Sequence, residues 1–336
     1  MADIEDITEN DCCGNGCANC VLDVQVKTKK ICDKTGKTNI LLQYTPFRLF
    51  QNKPHSTYND NVWEFHFKSV CAESVETPNE AVSNYILDMN PGYHLMLRAP
   101  QRQQQENEEN FENYVEFKMK RYLLRPYSPY WWDLQKMEFK ILVNLKCNGP
   151  MSDILRNLQI DNEMEFRGPI GKFEYTADNK GDNILMIINQ GVAVAPALPI
   201  IKCIIQNEED LTRIVHLSCF ENVENIYFRQ EIYDFQKFWN YKAHIYLAHE
   251  VCEECAKSSS LCSPDCKNFK RKLKYKESIH PVRLDENELE KIINTLKNEL
   301  PHMQVVLAGT RKFQQYFKNM LSGELFGIKD NNIYLL

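Results

Sequence analysis

The stretch "NILMIINQGVAVAP", from Asn183 to Pro196, decides the fold of the second half of the chain. Its apolar run is typical of a buried strand, and the glycine after it is typical of a tight turn. The residues that follow, 195–207, predict a helix. A strand that passes through a glycine turn into a helix can hold a nucleotide phosphate, but it can also be an ordinary connection. With one glycine in the turn, both interpretations stay open.

The same strand-then-helix pattern continues to the C-terminus. The apolar runs "TRIVHLSC", "AHIYLAH", "MQVVLAG" and "NIYL" predict further strands. Helical stretches lie between them, at 225–238, 285–300 and 311–321. Alternation of this kind predicts a doubly wound parallel sheet over residues 179–336. Nucleotides bind such sheets at the carboxyl ends of the strands, where "GVAVAP" and "LAGT" lie.

The first half of the chain has a different pattern. Four apolar or alternating runs, "WEFHFKSV", "YHLMLRA", "VEFKMKRYLLR" and "MEFKILVNLK", predict strands. A polar stretch at 101–113 predicts an exposed loop, and a short helix is predicted at 151–158 with Asp153 in its first turn. We therefore expect an antiparallel β-barrel over residues 38–178, followed by the α/β domain.

Composition limits the kind of partner. The 336 residues include 46 acidic and 40 basic side chains, for a net charge of −6. This balance argues against nucleic acid as the main partner. No run approaches the ~18 apolar residues of a membrane span, and the acidic start "MADIEDITEND" does not resemble an export signal. We expect a soluble, cytoplasmic protein with no membrane span.

The tetrapeptide "RPYS" offers the side chains that a flavin nucleotide requires. Arg125 can pair with a pyrophosphate, and Pro126 restricts the turn. Tyr127 offers a flat apolar face with a hydroxyl, and the hydroxyl of Ser128 can hydrogen-bond to a ring nitrogen. The alternative is a strand end with a surface arginine.

A second motif, "NGPMS", lies 20 residues further along the chain. It places Gly149, Met151 and Ser152 at the start of the predicted helix. Backbone N–H groups in the first turn of a helix have no carbonyl partner within it and can bind an anion. The paired glycines of "FRGPIGKF" (166–173) then predict a tight turn at the rim of the barrel.

Taken in order, the motifs resemble those of the NADH–cytochrome b5 reductase family, within the ferredoxin–NADP reductase-like flavoproteins. The sequence of motifs is "PGYHLML", "RPYS", "NGPMS", "FRGPIGKF", "GVAVAP", "FENVENIYFRQEI" and "LAGTRKF". The resemblance covers about residues 38–336. It implies an FAD-binding barrel and an NADH-binding α/β domain. The implied reaction transfers a hydride from NADH to FAD, then single electrons to an acceptor protein such as cytochrome b5.

The resemblance also implies roles for individual residues. Ser128 would lie beside the flavin ring nitrogen that accepts the hydride, and is the candidate catalytic residue. The candidate cofactor-binding residues, for FAD and then for the nicotinamide nucleotide, are Arg125, Pro126, Tyr127, Ser128, Ile141, Val143, Gly149, Met151, Ser152, Gly191, Ala195, Pro196, Phe220, Asn222 and Gly309. Ile141 and Val143 would contribute backbone contacts.

Some positions depart from the family pattern. Leu142, Asn144 and Pro150 replace a lysine, an aromatic residue and a lysine near the flavin. In the turn "GVAVAP" (191–196), which we call the nucleotide turn, Ala193 replaces a glycine and Ala195 a threonine. Ala308 replaces a cysteine near the nicotinamide, and Asn225 replaces an acidic residue that disfavours NADPH. NADPH therefore stays possible as the donor. The alternative function is a non-catalytic scaffold that acts through its cysteine modules.

The 13 cysteines form two clusters and five scattered residues. Residues 1–37 resemble a short oxidoreductase-like N-terminal region, with candidate metal ligands Cys12, Cys13, Cys17 and Cys20. An insertion at 250–276 contains Cys252, Cys255, Cys262 and Cys266, a spacing typical of a four-thiolate zinc site. Free or redox-active thiols and an iron–sulfur cluster are the alternatives there.

Overall fold

The computed structural model describes residues 37–56, 59–70, 85–100, 122–146, 149–175, 177, 183–296 and 302–336. Most of the N-terminal region, with Cys12, Cys13, Cys17 and Cys20, lies outside the described residues, as does the polar stretch 101–113.

The first sheet is antiparallel and has seven strands in the order β6-β5-β9-β2-β3-β8-β7. A short parallel pair, β1 with β4, lies beside it. The bounds are β1 Thr38–Asn39, β2 Thr45–Ser56, β3 Asn59–Ser69, β4 Tyr85–Ile86, β5 His94–Pro100, β6 Tyr122–Tyr127, β7 Pro129–Asp133, β8 Glu138–Asn144 and β9 Glu163–Ile170. One helix, α1 (Pro150–Arg156), lies between β8 and β9 along the chain.

The two edge strands of this sheet are consecutive in the sequence. Ser128 alone separates β6 from β7 along the chain. The sheet must therefore curl until its edges meet, which closes it into a barrel. We call this meeting place, Arg125–Ser128, the seam. Aromatic rings fill the interior, with Phe139 5.0 Å from Phe47 and 4.9 Å from Phe166 between ring centroids.

The second sheet is parallel, with strand order β13-β12-β11-β10-β14-β15. Its strands are β10 Ile184–Gln190, β11 Arg213–Phe220, β12 Tyr241–Leu247, β13 Ile279–His280, β14 Met303–Ala308 and β15 Ile333–Leu335. The helices are α2 Ala197–Ile205, α3 Arg229–Phe235, α4 Glu253–Lys257, α5 Lys267–Lys270, α6 Glu286–Asn294 and α7 Arg311–Ser322. Ile187 packs with α2 and α3 on one face, and Ile188 with α6 and α7 on the other. Burial on both faces explains the unbroken apolar run of β10.

These two sheets confirm the predicted fold class, but some elements differ. The helix predicted at 225–238 is only α3, because Phe228 has a left-handed backbone (φ 55°) that a continuous helix cannot include. A 3₁₀ turn, Val223–Asn225, lies before it. Strands β2, β7, β9 and the edge strand β13 are not among the predicted ones, and β13 gives too short an apolar signal with two residues. Strand β9 extends to Ile170, so the turn predicted at 166–173 can begin only after that residue. None of the described helices combines enough length and apolarity to cross a membrane.

Candidate functional site

Arg125 presents its charge at the seam. Arg125 and Tyr127 are two residues apart on β6 and so share one face of the strand. Helix α1 lies against β6. The guanidinium donates from Nη1 to the carbonyl of Leu124 at 2.7 Å. Among the described residues no carboxylate pairs with it, so its charge is available to an anionic ligand.

Two hydroxyls at the seam are also available. Tyr127 and Ser128 are half-buried, and neither hydroxyl has a hydrogen-bond partner within the described part of the chain. By contrast, Tyr130 donates to Oε2 of Glu64 at 2.9 Å. Burial raises the pKa of Tyr127 despite the opposing charge of Arg125, so its hydroxyl stays protonated at neutral pH. The seam therefore presents a cation that no described carboxylate neutralises and two hydroxyls that no described group bonds.

Helix α1 begins beside the seam with an open approach. Gly149 precedes the helix in an extended conformation (φ −168°), and Pro150 is its first residue. A Cβ built at Gly149 would meet no atom within 4 Å, so this position faces open space. Met151 is buried and Ser152 is half-buried. The start of α1 thus fits the predicted phosphate contacts of Gly149, Met151 and Ser152.

The flavin strand predicted by resemblance, β8, has one partly open edge. Strand β7 pairs with β8 only between Glu138 and Ile141, so Leu142–Asn144 have no strand on that side among the described residues. Ile141 and Val143 point into the barrel core. Their backbone contacts with FAD stay a prediction.

Leu142, where the resemblance implies a lysine, lies in a place that does not suit a charge. Its side chain is buried in the apolar cluster that joins the barrel to the α/β domain, together with Val194. An ammonium group there would lose its hydration without a partner. Asn144 accepts a hydrogen bond from the backbone of Lys146 at 2.8 Å.

The nucleotide turn is a 3₁₀ turn, Gly191–Val194, that lies against β8. Gly191 has φ +57°, and a Cβ there would meet no atom within 4 Å. Ala193 does not have a positive φ, so its methyl group introduces no backbone strain. Ala195 and Pro196 are buried, which limits both to indirect or backbone roles. Gly191 is the open position of this turn.

The turn after β14 packs against the turn after β10. A Cβ at Gly309 would lie 2.9 Å from Cδ1 of Phe313 and 3.1 Å from Cβ of Gln190, so a side chain cannot fit there. Thr310 donates from Oγ1 to Oε1 of Gln190 at 3.1 Å. Ala308 is fully buried. The two turns thus form one surface whose polar side chains are bonded to each other.

Phe220 and Asn222 have structural roles at the end of β11. The ring of Phe220 is buried against Tyr227, 5.8 Å between centroids. Asn222 accepts a hydrogen bond from the backbone N–H of Asn225 at 3.0 Å and so caps the 3₁₀ turn. Nucleotide contacts by either residue stay predictions.

A buried polar network lies below the nucleotide turn. Nδ1 of His216 is 2.7 Å from the Tyr241 hydroxyl, and its Nε2 is 2.6 Å from Oδ1 of Asn189. Ser218 donates to the same Asn189 oxygen at 3.0 Å. Burial lowers the pKa of His216 to about 3, so the imidazole is neutral. This network fixes the ends of β10 and β11 where the turns begin.

The barrel contacts the α/β domain through His55 and Tyr130, which share the carboxylate of Glu64. Glu64 lies 2.7 Å from Nδ1 of His55 and accepts the Tyr130 hydroxyl. Burial alone would raise the Glu64 pKa, but the hydrogen bonds from His55 and Tyr130 outweigh it and hold the pKa below its usual value. Nε2 of His55 accepts the backbone N–H of Phe228 at 3.3 Å, and the rings of Tyr130 and Phe228 are 4.8 Å apart. This contact holds the two predicted cofactor regions together.

The insertion brings together the four cysteines predicted from their spacing. The sulfur atoms of Cys252, Cys255, Cys262 and Cys266 all lie within 4.8 Å of one another. Of the scattered cysteines in the described residues, Cys219 is half-buried and Cys203 is exposed.

Comparisons with known proteins agree with the motifs. A family model described as an oxidoreductase FAD-binding domain matches residues 111–175, which include the seam and Gly149–Ser152. The mouse (Mus musculus) protein named NADH-cytochrome b5 reductase-like is 25% identical over 250 residues, 72% of this chain and 72% of that protein. An NADH-cytochrome b5 reductase 2 of Aspergillus terreus is 30% identical over 110 residues, 33% of this chain and 34% of its own.

Solved structures share the fold. The cytochrome b5 reductase domain of Ulva prolifera nitrate reductase superposes with a TM-score of 0.58 at 18% identity, over 88% of this chain and 97% of that one. A ferredoxin-NADP+ reductase from Plasmodium falciparum superposes with a TM-score of 0.57 at 12% identity, over 87% and 95%. The shared fold, together with the FAD-binding family model and the named relatives, confirms the resemblance to cytochrome b5 reductase-like proteins.

Proposed function

We propose that the protein is an FAD-dependent oxidoreductase that takes a hydride from NADH or NADPH and passes single electrons to an acceptor protein. The observation that carries this proposal is the seam. There Arg125 offers a cation with no carboxylate partner, and Tyr127 and Ser128 offer two hydroxyls with no hydrogen-bond partner, among the described residues. Half-buried polar groups that no protein group occupies are open to water and can exchange it for a ligand.

Each part of the seam has a role in this function. Arg125 would neutralise the pyrophosphate of FAD together with the start of α1. The Tyr127 ring would cover an apolar face, and the Ser128 hydroxyl would hydrogen-bond to the flavin ring. FAD, when bound, supplies hydride acceptance and one-electron release. The protein holds the two nucleotides in register through the contact of the nucleotide turn with β8.

Cytochrome b5 is the acceptor that the names of the relatives suggest. The proposal for this chain is a small haem or iron–sulfur protein of that kind, and NADH or NADPH as the donor. Asn225 carries no charge to repel a 2′-phosphate, so neither nucleotide is favoured by this position alone.

Anaerobic spectrophotometry of the purified protein tests the proposal. We expect a bound flavin spectrum that bleaches on stoichiometric NADH or NADPH, and reoxidation by added cytochrome b5. A protein that purifies without flavin and does not bind added FAD would contradict it. Reoxidation by ferricyanide but not by cytochrome b5 would contradict the proposed acceptor, while the proposal that the protein is a flavoprotein would stand.

A specific observation favours the alternative, a scaffold with little nucleotide chemistry. In the α/β domain, two polar side chains near the predicted nucleotide site make hydrogen bonds within the protein. Thr310 bonds Gln190, and Asn222 bonds the backbone of Asn225. A flavin that dithionite bleaches, but neither NADH nor NADPH does, would support this alternative.

A further inference from the structure

The cysteine insertion forms a compact unit between β12 and β13. Cys252 and Cys266 directly precede α4 and α5, Cys255 lies within α4, and Cys262 lies in the link. Cys252 and Cys262 are buried, and the other two are half-buried. We propose that these four cysteines bind one structural zinc ion. The same unit holds the loop Glu221–Asn225, which follows β11 in the α/β domain, in place.

The distances between sulfur atoms favour a single metal ion. Tetrahedral zinc with Zn–S bonds of about 2.3 Å places its ligand sulfurs roughly 3.8 Å apart. The Sγ atoms of Cys252 and Cys266 are 3.7 Å apart, and all four lie within 4.8 Å of one another. A disulfide would need about 2.05 Å. An iron–sulfur cluster places several irons and sulfides between its ligands, which requires a wider spread than this.

The surroundings suit the charge of such a site. Four thiolates around Zn²⁺ have a net charge of −2, which needs compensation when half-buried. A basic run, 267–276, follows Cys266 directly in the sequence and brings positive charge to the insertion. The side-chain amide of Asn268 also donates towards Sγ of Cys252 at 3.9 Å, as outer partners of metal ligands commonly do. Phe269 is buried beneath the cluster and excludes water.

Hydrogen bonds connect this unit to the loop Glu221–Asn225. The backbone N–H of Cys262 donates to the carbonyl of Glu250 at 2.8 Å. The fully buried carboxylate of Glu250 accepts the N–H of Val223 at 2.9 Å and the ammonium of Lys272 at 2.8 Å. Lys272 also bonds Glu224 at 2.9 Å. Loss of the metal would free Cys262 and Lys272 together, and with them the loop.

The functional consequence of this link rests on the proposed function, because Glu221–Asn225 is the loop that would contact NADH or NADPH. The zinc site itself does not rest on it. The two parts therefore need separate readouts, one for metal and one for the loop.

Metal analysis of the full chain tests the site. We expect zinc by inductively coupled plasma mass spectrometry, with one equivalent lost in the double variant Cys255→Ser/Cys266→Ser. The matched control, Cys12→Ser/Cys17→Ser, alters the N-terminal cluster and should keep that equivalent. Because loss of two ligands can unfold the double variant, the unaltered protein is also loaded with Co²⁺, which should give the intense visible bands of a tetrahedral thiolate site. Iron in place of zinc, a disulfide by mass spectrometry, or equal zinc in the double variant would overturn the proposal.

Hydrogen–deuterium exchange tests the link to the loop. Zinc is extracted from the folded protein with a mercurial and a chelator, and a peptide that contains Val223 is followed. We expect its exchange to rise about tenfold, the factor that one charged hydrogen bond commonly represents, while peptides of β3 stay unchanged. Unchanged exchange at Val223 after zinc removal would overturn the link. A protein that holds zinc but does not bind NADH or NADPH would instead contradict the proposed function.

Discussion

The seam of the barrel and the turns of the α/β domain differ in how many hydrogen-bond partners their polar side chains have within the described protein. At the seam, Arg125, Tyr127 and Ser128 have hydrogen-bonding groups without side-chain partners in the described protein. At the turns, Thr310 bonds Gln190, and His216 lies in a closed network with Asn189, Ser218 and Tyr241. The groups of the seam are open to a ligand, whereas these groups of the α/β domain are bonded to one another, apart from the buried Nδ2 of Asn189, which has no partner among the described residues. If the proposed function holds, the seam therefore offers FAD more unbonded polar groups than the turns offer NADH or NADPH.

Arg125→Ala should give the largest effect. The substitution removes the open cation at the seam, and we expect FAD affinity to fall on the order of 100-fold, as for truncation of one partner of a charge pair. Fluorescence titration of the deflavinated protein with FAD measures it. Arg48→Ala is the control, because Arg48 belongs to the same barrel and bonds Glu163 at 3.4 Å on the surface. Equal FAD affinity in both variants would mean that the seam is not the flavin site.

Acid should destabilise the closed network of the α/β domain. Burial lowers the pKa of His216 to about 3, against about 6.5 when unfolded. Between these values the unfolded state binds more protons, so the free energy of unfolding falls as the pH falls. At pH 4.5 this group removes roughly 3 kcal/mol.

Urea unfolding from pH 7 to 4.5 measures this loss. His216→Gln should flatten the dependence, whereas the exposed His302→Gln should not. His94 in the barrel, with its pKa lowered to about 4 by burial, should leave a residual slope in both variants. An unchanged slope in His216→Gln would show that the buried network does not titrate on unfolding.

Two glycine substitutions separate backbone strain from ligand approach. Gly191→Ala places a side chain at φ +57°, which should cost roughly 1–2 kcal/mol of stability. Gly149→Ala places one in extended backbone and open space, so stability should stay within about 0.5 kcal/mol. If phosphate approaches Gly149, however, FAD affinity should fall several-fold. Thermal unfolding and FAD titration of both variants measure this, and unaltered FAD binding by Gly149→Ala would place the phosphate elsewhere.

Asn225→Asp should give the smallest effect, and it tests whether this position lies near the ribose of the bound NADH or NADPH. A carboxylate near a 2′-phosphate adds about 1 kcal/mol of repulsion at 4 Å in water, so the preference for NADH over NADPH should rise about fivefold. Steady-state flavin reduction with both donors measures it. Asn319→Asp on α7 makes the same charge change at a distant exposed position that accepts a bond from Gln315. A matching shift in Asn319→Asp would assign the effect to net charge.

The sequence predicts the fold well because its signals are local. The apolar run of β10, the glycine of the next turn and Asp153 in α1 each act on their own segment. The seam was found as "RPYS" because its residues are neighbours in the chain. The role of Leu142 could not be predicted from its own segment, since it depends on Val194 of the other domain.

The charge networks show the same limit more clearly. Glu250 meets Val223 and Lys272, and Glu64 meets His55 and Tyr130, across separations of up to 66 residues. No periodicity or motif marks such pairs, because a carboxylate in the core is indistinguishable by sequence from one on the surface. The helix predicted at 225–238 is longer than α3 for a related reason. The left-handed conformation of Phe228 depends on its packing against His55 and Tyr130 of the other domain.

The strand order of the barrel also sets the order in which the protein can be assembled during synthesis. Among the described strands, β9 alone joins the pair β5-β6 to the group β2-β3-β8-β7. Before Glu163–Ile170 emerge from the ribosome, these two parts are connected at the seam by Ser128 without a shared ladder. A nascent chain that ends before Glu163 would carry "RPYS" and "NGPMS" but would lack the strand that joins the two parts of the barrel. If the seam holds FAD as proposed, the complete site forms only after β9 has been translated.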